Sequence, residues 1–267
     1  MNDWPAMFED ELLRLGLQPG RARQLSEETT QQAAEHAGAP ADVFGPAHLY
    51  ARHLVAELNS AGAVRTRLEA GPVLLSLTGV SKRYRRQTVF ADVNLTVRGG
   101  EVAAIVGANG CGKSTLLRIC AGLTRPSGGT IRRTRRVGFV PQDGGTAGWL
   151  TAEEHFTLFG VAAGMVPRRA RSTGVHLATR LAWRPSRQQR AQQLSGGTRQ
   201  KLNLVLGELH APDLLLLDEP YQGFDQGTYL DFWQQVFAWR DAGRAVVVVT
   251  HLLHDLQNVD HVLDLGR

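Results

Sequence analysis

A glycine-rich segment with the sequence GANGCGKST, from Gly107 to Thr115, constrains this chain more than any other feature. It fits the pattern G-x-x-x-x-G-K-[ST], and it stands between the apolar run EVAAIV and the helix-forming run KSTLLRICAG. Glycines allow the backbone to curve until successive N–H groups point inward, where they and the positive end of the helix can hold phosphate oxygens. The segment therefore predicts a phosphate-binding loop between a buried strand and a helix; a glycine-rich turn without a ligand is the alternative.

Two side chains of this loop have predicted roles of their own. Lys113 adds a positive charge for the β- and γ-phosphates of a nucleotide, and the hydroxyl of Ser114 can be a ligand of Mg²⁺. Cys111 occupies a position at which the pattern allows any residue, and we expect no catalytic role for its thiol. The predicted nucleotide-binding residues of the loop are Gly107, Ala108, Asn109, Gly110, Cys111, Gly112, Lys113, Ser114 and Thr115.

A second apolar run, LLLLDEP from Leu214 to Pro220, ends in adjacent carboxylates. Ligands of open α/β sheets gather at the carboxyl ends of the strands, which is where Asp218 and Glu219 fall. Because the chain also has a phosphate loop, we predict that Asp218 holds Mg²⁺ through its water shell. Glu219 is then placed to polarise the water that attacks the γ-phosphate. For an isolated Asp-Glu pair, a turn at the end of the strand is the alternative.

The chain changes character between residues 66 and 72. Before this point, three segments with the composition of short helices are separated by glycine and proline, namely 7–15, 21–36 and 46–60. After it, β-forming runs alternate with helical stretches, and the predicted strands are VLLSLTGV, VNLTV, EVAAIVG, VGFV, DLLLLD and AVVVVT. We predict an open α/β domain at 73–267 preceded by a small all-α domain at 1–66.

The composition excludes several classes of protein. With 267 residues, of which 43% are hydrophobic and 21% charged, the chain resembles an ordinary globular protein. Two cysteines cannot form a disulfide scaffold, and no apolar run approaches the roughly 18 residues that span a membrane. The acidic start MNDWPAMFEDELLRL lacks the features of a secretory signal, so we expect a cytoplasmic location.

Charge is distributed unevenly along the chain. The net charge is +5, but the residues up to Ala70 include six basic and ten acidic ones, so the positive charge lies in the remainder. The densest clusters are Arg132, Arg133, Arg135 and Arg136, and then Arg168, Arg169 and Arg171. We interpret both clusters as solvated turns, with contact to anionic lipid headgroups or nucleic acid as the alternative.

Between the phosphate loop and the acidic pair stands LSGGTRQK, from Leu194 to Lys201. Ser-Gly-Gly alone is a common turn. Placed after the phosphate loop and about twenty residues before the acidic pair, it makes the chain resemble the nucleotide-binding subunit of an ABC transporter. The resemblance covers about 73–267 and implies a P-loop NTPase fold of the ABC ATPase type. That fold has a mixed sheet core, a small antiparallel β subdomain and a helical subdomain, here at about 149–195.

The resemblance also implies roles for residues outside the loop. Tyr84 corresponds to the aromatic residue that stacks on adenine, and Gln142, in FVPQD, to the glutamine that senses Mg²⁺ and the membrane partner. Asp225, in GFD, corresponds to the aspartate at the dimer interface. His251 corresponds to the switch histidine that contacts the γ-phosphate.

By the same resemblance, two such subunits, identical or different, close head to tail around two ATP molecules. Ser195, Gly196 and Gly197 open a helix whose N-terminal amides and dipole would meet the γ-phosphate of the other subunit. Thr198 replaces the more frequent glutamine, and Phe224, in YQGF, replaces the usual leucine. We expect Thr198 to tune activity rather than abolish it.

The resemblance implies an Mg²⁺-dependent ATPase in which Glu219, His251 and Gln142 are catalytic and Ser114, Gln142 and Asp218 hold the metal. We expect a cytoplasmic subunit, peripheral on the inner face of the cell membrane, that powers a separate integral membrane permease. The compact length of the chain favours an exporter.

Two other functions stay open. A soluble ABC-type ATPase acting on ribosomes or nucleic acid agrees with the basic clusters, but such relatives carry paired ATPase modules or long coiled coils, so we expect no nucleic-acid partner. A regulatory module in which ATP is only a switch is disfavoured by the intact Glu219 and His251. The segment AGAPADVFGPAHLYARHL resembles the helical HAAS-type segment that precedes some bacterial membrane-associated proteins. We favour a plain three-helix appendage, and the acidic character of this region suggests docking or regulation as a hypothesis.

Overall fold

The computed structural model of the protein describes residues 4–17, 19–35, 39–62, 71–85, 87–250 and 259–266. The chain divides into two compact units, Met1–Leu68 and Glu69–Arg267. The domain limits expected from the sequence, 1–66 and 73–267, stay a prediction. Among the described helices, we find none with the length and apolar character that crossing a bilayer requires.

The N-terminal unit is a group of helices around an aromatic core. The helices are α1 (Trp4–Arg14), α2 (Pro19–Glu35), α3 (Pro40–Phe44) and α4 (Ala47–Gly62). Trp4 stacks on Phe8 with ring centroids 4.8 Å apart, and its indole N–H donates to the carbonyl oxygen of Gly45 over 2.7 Å. The sequence predicts three of these helices; α3 is additional, because five residues are too few for a helical period to show.

The larger unit is built on a parallel sheet whose central strands are buried on both faces. Its strands within the described residues are β3 (Val102–Val106), β5 (Val137–Val140), β6 (Leu214–Asp218), β7 (Ala245–Val249) and β8 (His261–Asp264). They are ordered β5-β6-β7-β3-β8, and each described pairing is parallel. Every residue of the runs LLLLD and AVVVV is buried, as expected for a parallel sheet covered on both faces.

A second, antiparallel sheet consists of β1 (Val73–Tyr84), β2 (Gln87–Arg98) and β4 (Gly128–Arg133), in the order β2-β1-β4. The sequence predicts only parts of β1 and β2. It does not predict β4, in which Ile131 is the one apolar residue, or β8, which has only four residues. Arg132 and Arg133 lie in β4, paired with Ser76 and Leu75 of β1. Both arginines are exposed, and the interpretation of the cluster as a turn is wrong for these two. Arg135 and Arg136, which are also exposed, lie in the bend between β4 and β5.

Helices cover both faces of the parallel sheet. The α-helices that the structure describes in the larger unit are α5 (Lys113–Cys120), α6 (Ala152–Ala162), α7 (Pro167–Arg180), α8 (Gly196–Glu208) and α9 (Gln226–Asp241). Leu214 and Leu216 of β6 pack in one core with Leu117 of α5, whereas Leu215 and Leu217 pack in another with residues of α9. The alternation of β6 thus divides its leucines between the two faces of the sheet.

Three of these helices, α6, α7 and α8, share a further core that includes Phe156, Leu177 and Leu202. Thr151 and Glu154 form a capping box at the start of α6, since each side chain accepts a hydrogen bond from the other's backbone N–H. The predicted limits of a helical subdomain, about 149–195, stay a prediction. The second arginine cluster, Arg168, Arg169 and Arg171, is exposed on α7, so its interpretation as a turn is also wrong.

Candidate active site

Predicted site residues end or follow three strands of the parallel sheet. The glycine-rich loop follows β3, Gln142 follows β5 and Asp218 is the last residue of β6. Thr250, which is not a predicted site residue, follows β7. Because parallel strands end at the same edge of a sheet, all four positions lie along one edge. β7 separates β3 from β6, so the loop and Asp218 come from strands that are not direct neighbours.

The phosphate loop owes its shape to three glycines. Gly107, Gly110 and Gly112 have φ angles of 140°, 84° and 106°, which residues with a side chain rarely adopt. A Cβ on Gly112 would also lie 2.5 Å from Cγ1 of Val89. Gly112 is the N-cap of α5, so the curved backbone leads directly into a helix N-terminus, which favours an anion.

Lys113 is buried at the start of α5. Its Nζ donates to the carbonyl oxygen of Gly107 over 2.7 Å and to that of Ala108 over 3.0 Å. A buried cation is costly without partners, and these two carbonyls supply them from the loop itself. They hold the ammonium group at the loop, where the sequence predicts a nucleotide's phosphates.

A hydrogen bond joins the phosphate loop to the acidic pair. The hydroxyl of Ser114 donates to Oδ1 of Asp218 over 3.1 Å. Burial raises the pKa of Asp218 above its ordinary value, the hydrogen bond from Ser114 opposes this rise, and the charge of Glu219 adds to it. A bound cation would favour the charged form of this carboxylate, so the pair suits a metal that prefers oxygen ligands.

Glu219 is buried and has a φ of 44°, a left-handed conformation that is rare for a residue with a side chain. Such local strain concentrates at functional sites. Oε2 of Glu219 accepts hydrogen bonds from Nε2 of Gln142 over 3.1 Å and from Nε2 of Gln222 over 2.8 Å. The predicted catalytic residues Glu219 and Gln142 are therefore in direct contact.

The loop and these side chains line a cavity of about 540 Å³. This volume lies within the usual range of small-molecule sites. The residues that line it are Asn109, Gly110, Gly112, Lys113, Ser114, Thr115, Gln142, Glu219 and Gln222. Tyr84, Ser195 and Asp225 are not among the described residues of this lining.

Comparison with known proteins identifies the family. The family model for ABC transporters matches residues 90–222. An ATP-binding protein for the import of aliphatic sulfonates in Pseudomonas aeruginosa is 35% identical, over 71% of this chain and 70% of that protein. The chain belongs to the ABC transporter ATP-binding family. A zinc import ATP-binding protein of Aliivibrio fischeri is 34% identical to it, over 73% of this chain and 79% of that protein.

Export proteins and solved ABC structures are similar too. The Nod factor export ATP-binding protein I of Ralstonia nicotianae is 31% identical, over 73% of this chain but 65% of its own length. The ATP-binding subunit of an ABC transporter is 27% identical with a TM-score of 0.64, over 73% of this chain and 87% of that one. A dimeric bacterial ABC transporter cassette is 25% identical with a TM-score of 0.66, over 72% of this chain and 95% of that one. The chain is accordingly an ABC-type ATPase that binds ATP.

The LSGGTRQK segment of this ABC ATPase forms the start of α8. Ser195 is the N-cap, and its Oγ accepts a hydrogen bond from the backbone N–H of Thr198 over 3.3 Å. A Cβ on Gly197 would lie 2.7 Å from the carbonyl oxygen of Gly223, so the helix start needs glycine there. The role of Ser195, Gly196 and Gly197 at the nucleotide of a second subunit stays a prediction.

Three other residues have roles implied by the resemblance to the family. Two of them are not part of the cavity lining, and the third lies outside the described residues. Tyr84 is 52% exposed at the end of β1, and Nζ of Lys82 lies 4.6 Å from the centroid of its ring. Asp225 is the N-cap of α9, and the hydrogen bond that it accepts from the backbone N–H of Thr228 lowers the pKa of Asp225. The predicted switch histidine, His251, lies outside the described residues.

Sequence reasoning does not identify His155, which holds the segment after Gln142. His155 is fully buried on α6, where its Nε2 accepts from the backbone N–H of Ala147 over 2.9 Å. Its Nδ1 lies 2.8 Å from the carbonyl oxygen of Thr151 and therefore donates, so the ring is neutral. Burial lowers the pKa of His155 below its ordinary value, which favours this form. A single histidine on a helix gives no signal for such a role in the sequence.

Gln222 is the second unpredicted residue of the site. It lies in YQGF, the segment that departs from the family pattern at Phe224. Its contact with Glu219 depends on the path of the chain between Glu219 and α9, which the sequence pattern does not specify.

Proposed function

We propose that this chain is an Mg²⁺-dependent ATPase that powers a separate integral membrane permease. The observation that carries the proposal is the hydrogen bond from Ser114 to Asp218, which joins the phosphate loop to the acidic pair. A phosphate loop alone would suffice to bind a nucleotide. Glu219 lines the same cavity and supplies a base, which favours hydrolysis over a role of ATP as a mere switch.

In the proposed reaction, the backbone amides of the loop and Nζ of Lys113 hold the β- and γ-phosphate oxygens. Glu219 accepts a proton from the water that attacks the γ-phosphorus, while the bond between this phosphorus and the bridging oxygen breaks and leaves ADP and phosphate. Gln142 orients the carboxylate of Glu219 through its hydrogen bond. His251 would contact the γ-phosphate.

The residues at the cavity fit Mg²⁺. Ser114 and Gln142 line the cavity and bring a hydroxyl and an amide oxygen to it. The carboxylate of Asp218 is not part of this lining, but it lies 3.1 Å from the hydroxyl of Ser114. Within the described residues, no group of three His, Cys, Asp or Glu could hold a metal by itself. Mg²⁺ beside a nucleotide needs few protein ligands, because phosphates and water complete its shell. When bound, it would offset the charge of the phosphate oxygens.

We propose further that two subunits, identical or different, pair head to tail. Ser195, Gly196 and Gly197 of one would then meet the ATP held by the loop of the other. Support comes from the start of α8, where Gly196 is exposed and nothing lies within 4 Å of the place of its Cβ. An anion could therefore approach the first amides of this helix. The similarity to a dimeric cassette also supports the pairing.

The permease, the direction of transport and the location belong to the same proposal. We place the chain on the inner face of the cell membrane, with the segment around Gln142 toward the permease. We propose export, which the similarity to a Nod factor export protein supports. Relatives named for sulfonate and zinc import are slightly more similar, at 35% and 34% identity against 31%, so uptake and release must be measured on the assembled transporter.

The ATPase is tested with two substitutions in the cavity. Lys113→Ala should lose ATP binding and hydrolysis together. Glu219→Gln should still bind ATP but hydrolyse it about 100-fold more slowly, because the base is lost and the phosphate contacts remain. Glu27→Gln, an exposed carboxylate on α2, is the matched control and should hydrolyse ATP normally. Normal hydrolysis by Glu219→Gln would overturn the assigned chemistry.

The partner is tested by purifying Glu219→Gln, with ATP, from membranes of the native cell. A polytopic membrane protein in stoichiometric yield would support the transporter. Ribosomes or nucleic acid would instead support the alternative of an ABC-type ATPase that acts on them, for which the exposed arginine clusters provide charge. The role of the proposed helical domain is tested by deleting residues 1–66 and repeating the purification and the ATPase assay. If the ATPase rate and partner binding stay unchanged, the domain has no docking role.

A further inference from the structure

The segment between Glu219 and α9 makes a tight turn, here called the 221–224 turn. The backbone N–H of Gln222 donates to the carbonyl oxygen of Glu219 over 3.3 Å, and that of Phe224 donates to the carbonyl oxygen of Tyr221 over 3.0 Å. Tyr221 anchors the turn, because its ring is buried and its hydroxyl lies 2.6 Å from Oγ1 of Thr250. The backbone of Gln222 is thus fixed on both sides.

From this position, the side chain of Gln222 reaches back over the catalytic cavity. Its Nε2 donates to Oε2 of Glu219 over 2.8 Å, which is shorter than the 3.1 Å bond from Gln142 to the same atom. Gln222 also lines a second cavity of about 380 Å³, together with Gln142 and residues of α8 such as Gly196 and Arg199. Gln222 therefore lies between the carboxylate and the start of α8.

We propose that Gln222 is a positioning residue for ATP hydrolysis, which it assists by holding the carboxylate of Glu219. The inference rests on the proposed role of Glu219 as the base. Two amide N–H groups on one oxygen fix the orientation of a carboxylate better than one does, because each hydrogen bond further restricts the rotation of the group about its last bond. Correct orientation is needed since a base acts only on a proton within hydrogen-bond reach.

The experiment compares two substitutions at this position by steady-state ATP hydrolysis. Gln222→Met keeps a similar size but removes the donor. Gln222→Glu keeps the shape of glutamine but replaces the donor with an acceptor that repels Glu219. If Gln222 acts by donation, kcat should fall about tenfold in Gln222→Met and further in Gln222→Glu, with KM for ATP within about twofold of wild type.

A purely structural role of Gln222 gives a different result. If Gln222 acts only by filling space in the turn, Gln222→Glu should retain the kcat of wild type, and this result would overturn the proposal. A rise in KM without a fall in kcat would overturn it as well, because the defect would then lie in binding. Gln222 is exposed, so neither substitution should unfold the chain, and Gln234→Met, an exposed glutamine of α9, is the matched control.

Glu219→Gln separates this inference from the proposed function. If Glu219→Gln hydrolyses ATP normally, the proposed function fails. If Glu219→Gln is inactive while both Gln222 variants keep normal kcat, the failure concerns Gln222 alone. Adding Gln222→Met to Glu219→Gln should not lower the residual rate further, because the group that Gln222 holds is no longer a base.

Discussion

The phosphate loop and the 221–224 turn serve the same cavity by different means. The loop presents backbone groups, shaped by Gly107, Gly110 and Gly112, and even Lys113 is held by backbone carbonyls. The turn presents a side chain, since Gln222 reaches the carboxylate of Glu219 through its side-chain amide. A backbone site tolerates many side chains but no added Cβ at its glycines, whereas a side-chain site is weakened when one donor is removed.

The largest effect on stability and ATP binding should come from a methyl group added to a glycine of the phosphate loop. In Gly112→Ala, the new Cβ would lie 2.5 Å from Cγ1 of Val89 and 3.0 Å from Cδ1 of the buried Phe90, at a φ of 106°. We expect the free energy of unfolding to fall by about 2 kcal/mol or more. We also expect ATP to lose its stabilising effect, because the amides no longer converge. Urea unfolding with and without ATP measures both.

Gly20→Ala is the control for that experiment. It adds the same methyl group in α2, where nothing lies within 4 Å of the new Cβ and φ is not positive. Its unfolding free energy should stay within about 0.5 kcal/mol of wild type. If Gly112→Ala behaved in the same way, the loop would not depend on its backbone shape.

A smaller effect is expected at the hydrogen bond from Ser114 of the phosphate loop to Asp218 at the end of β6. Ser114→Ala removes a donor that opposes the burial-induced rise in the pKa of Asp218. We expect about tenfold more Mg²⁺ to be needed for half-maximal hydrolysis, and the acidic limb of the pH profile to move to higher pH. Ser172→Ala on the exposed part of α7 should do neither. An unchanged Mg²⁺ requirement would remove Ser114 from the metal site.

The phosphate loop and the 221–224 turn also differ in how well the sequence predicts them. A site built from backbone groups needs glycines at fixed spacings, so the sequence predicts the loop, its strand and its helix together. Buried parallel strands such as β6 and β7 are equally clear, because both faces are apolar. By contrast, β4 carries threonine, glycine and arginine, and it is held by its pairing with β1 rather than by an apolar pattern.

Side-chain contacts leave no such signature. Gln222 and His155 act through hydrogen bonds that depend on the paths of a turn and a loop, which no local period encodes. The contact between Gln142 and Glu219 joins residues 77 positions apart, and the sequence could place it only through the resemblance to a family. The arginines of β4 and α7 were misassigned to turns because charge indicates exposure but not secondary structure.

A weaker and pH-dependent effect is expected at His155, which holds a loop by its side chain. His155→Phe removes the acceptor for the N–H of Ala147 and the donor to the carbonyl of Thr151. We expect the free energy of unfolding to fall by about 1 to 2 kcal/mol at pH 8. Urea unfolding of both proteins from about pH 5 to 8 measures the difference.

The sign of the pH dependence follows from the direction of the pKa shift. Burial lowers the pKa of folded His155 below the value near 6.5 of an unfolded chain. The stabilisation is therefore complete above about pH 6.5 and is lost as the pH falls through the folded pKa, when Nε2 gains a proton and cannot accept. The difference in the free energy of unfolding between wild type and His155→Phe should therefore become smaller at low pH. His210, whose pKa burial also lowers, is present in both proteins and cancels in the difference.

The smallest effect on ATP hydrolysis should come from removing the side chain of Cys111 in the phosphate loop. Cys111→Ala removes a thiol that the loop does not use for binding, so hydrolysis should change by no more than about twofold. Sγ of Cys111 nevertheless lies 2.8 Å from the place of a Cβ on Gly107, so a bulky maleimide on this thiol should obstruct ATP. Cys120 is buried, which raises its pKa to about 12, and it should not react. If Cys111→Ala still lost activity to maleimide, while Cys120→Ala did not, the reactive thiol would be Cys120.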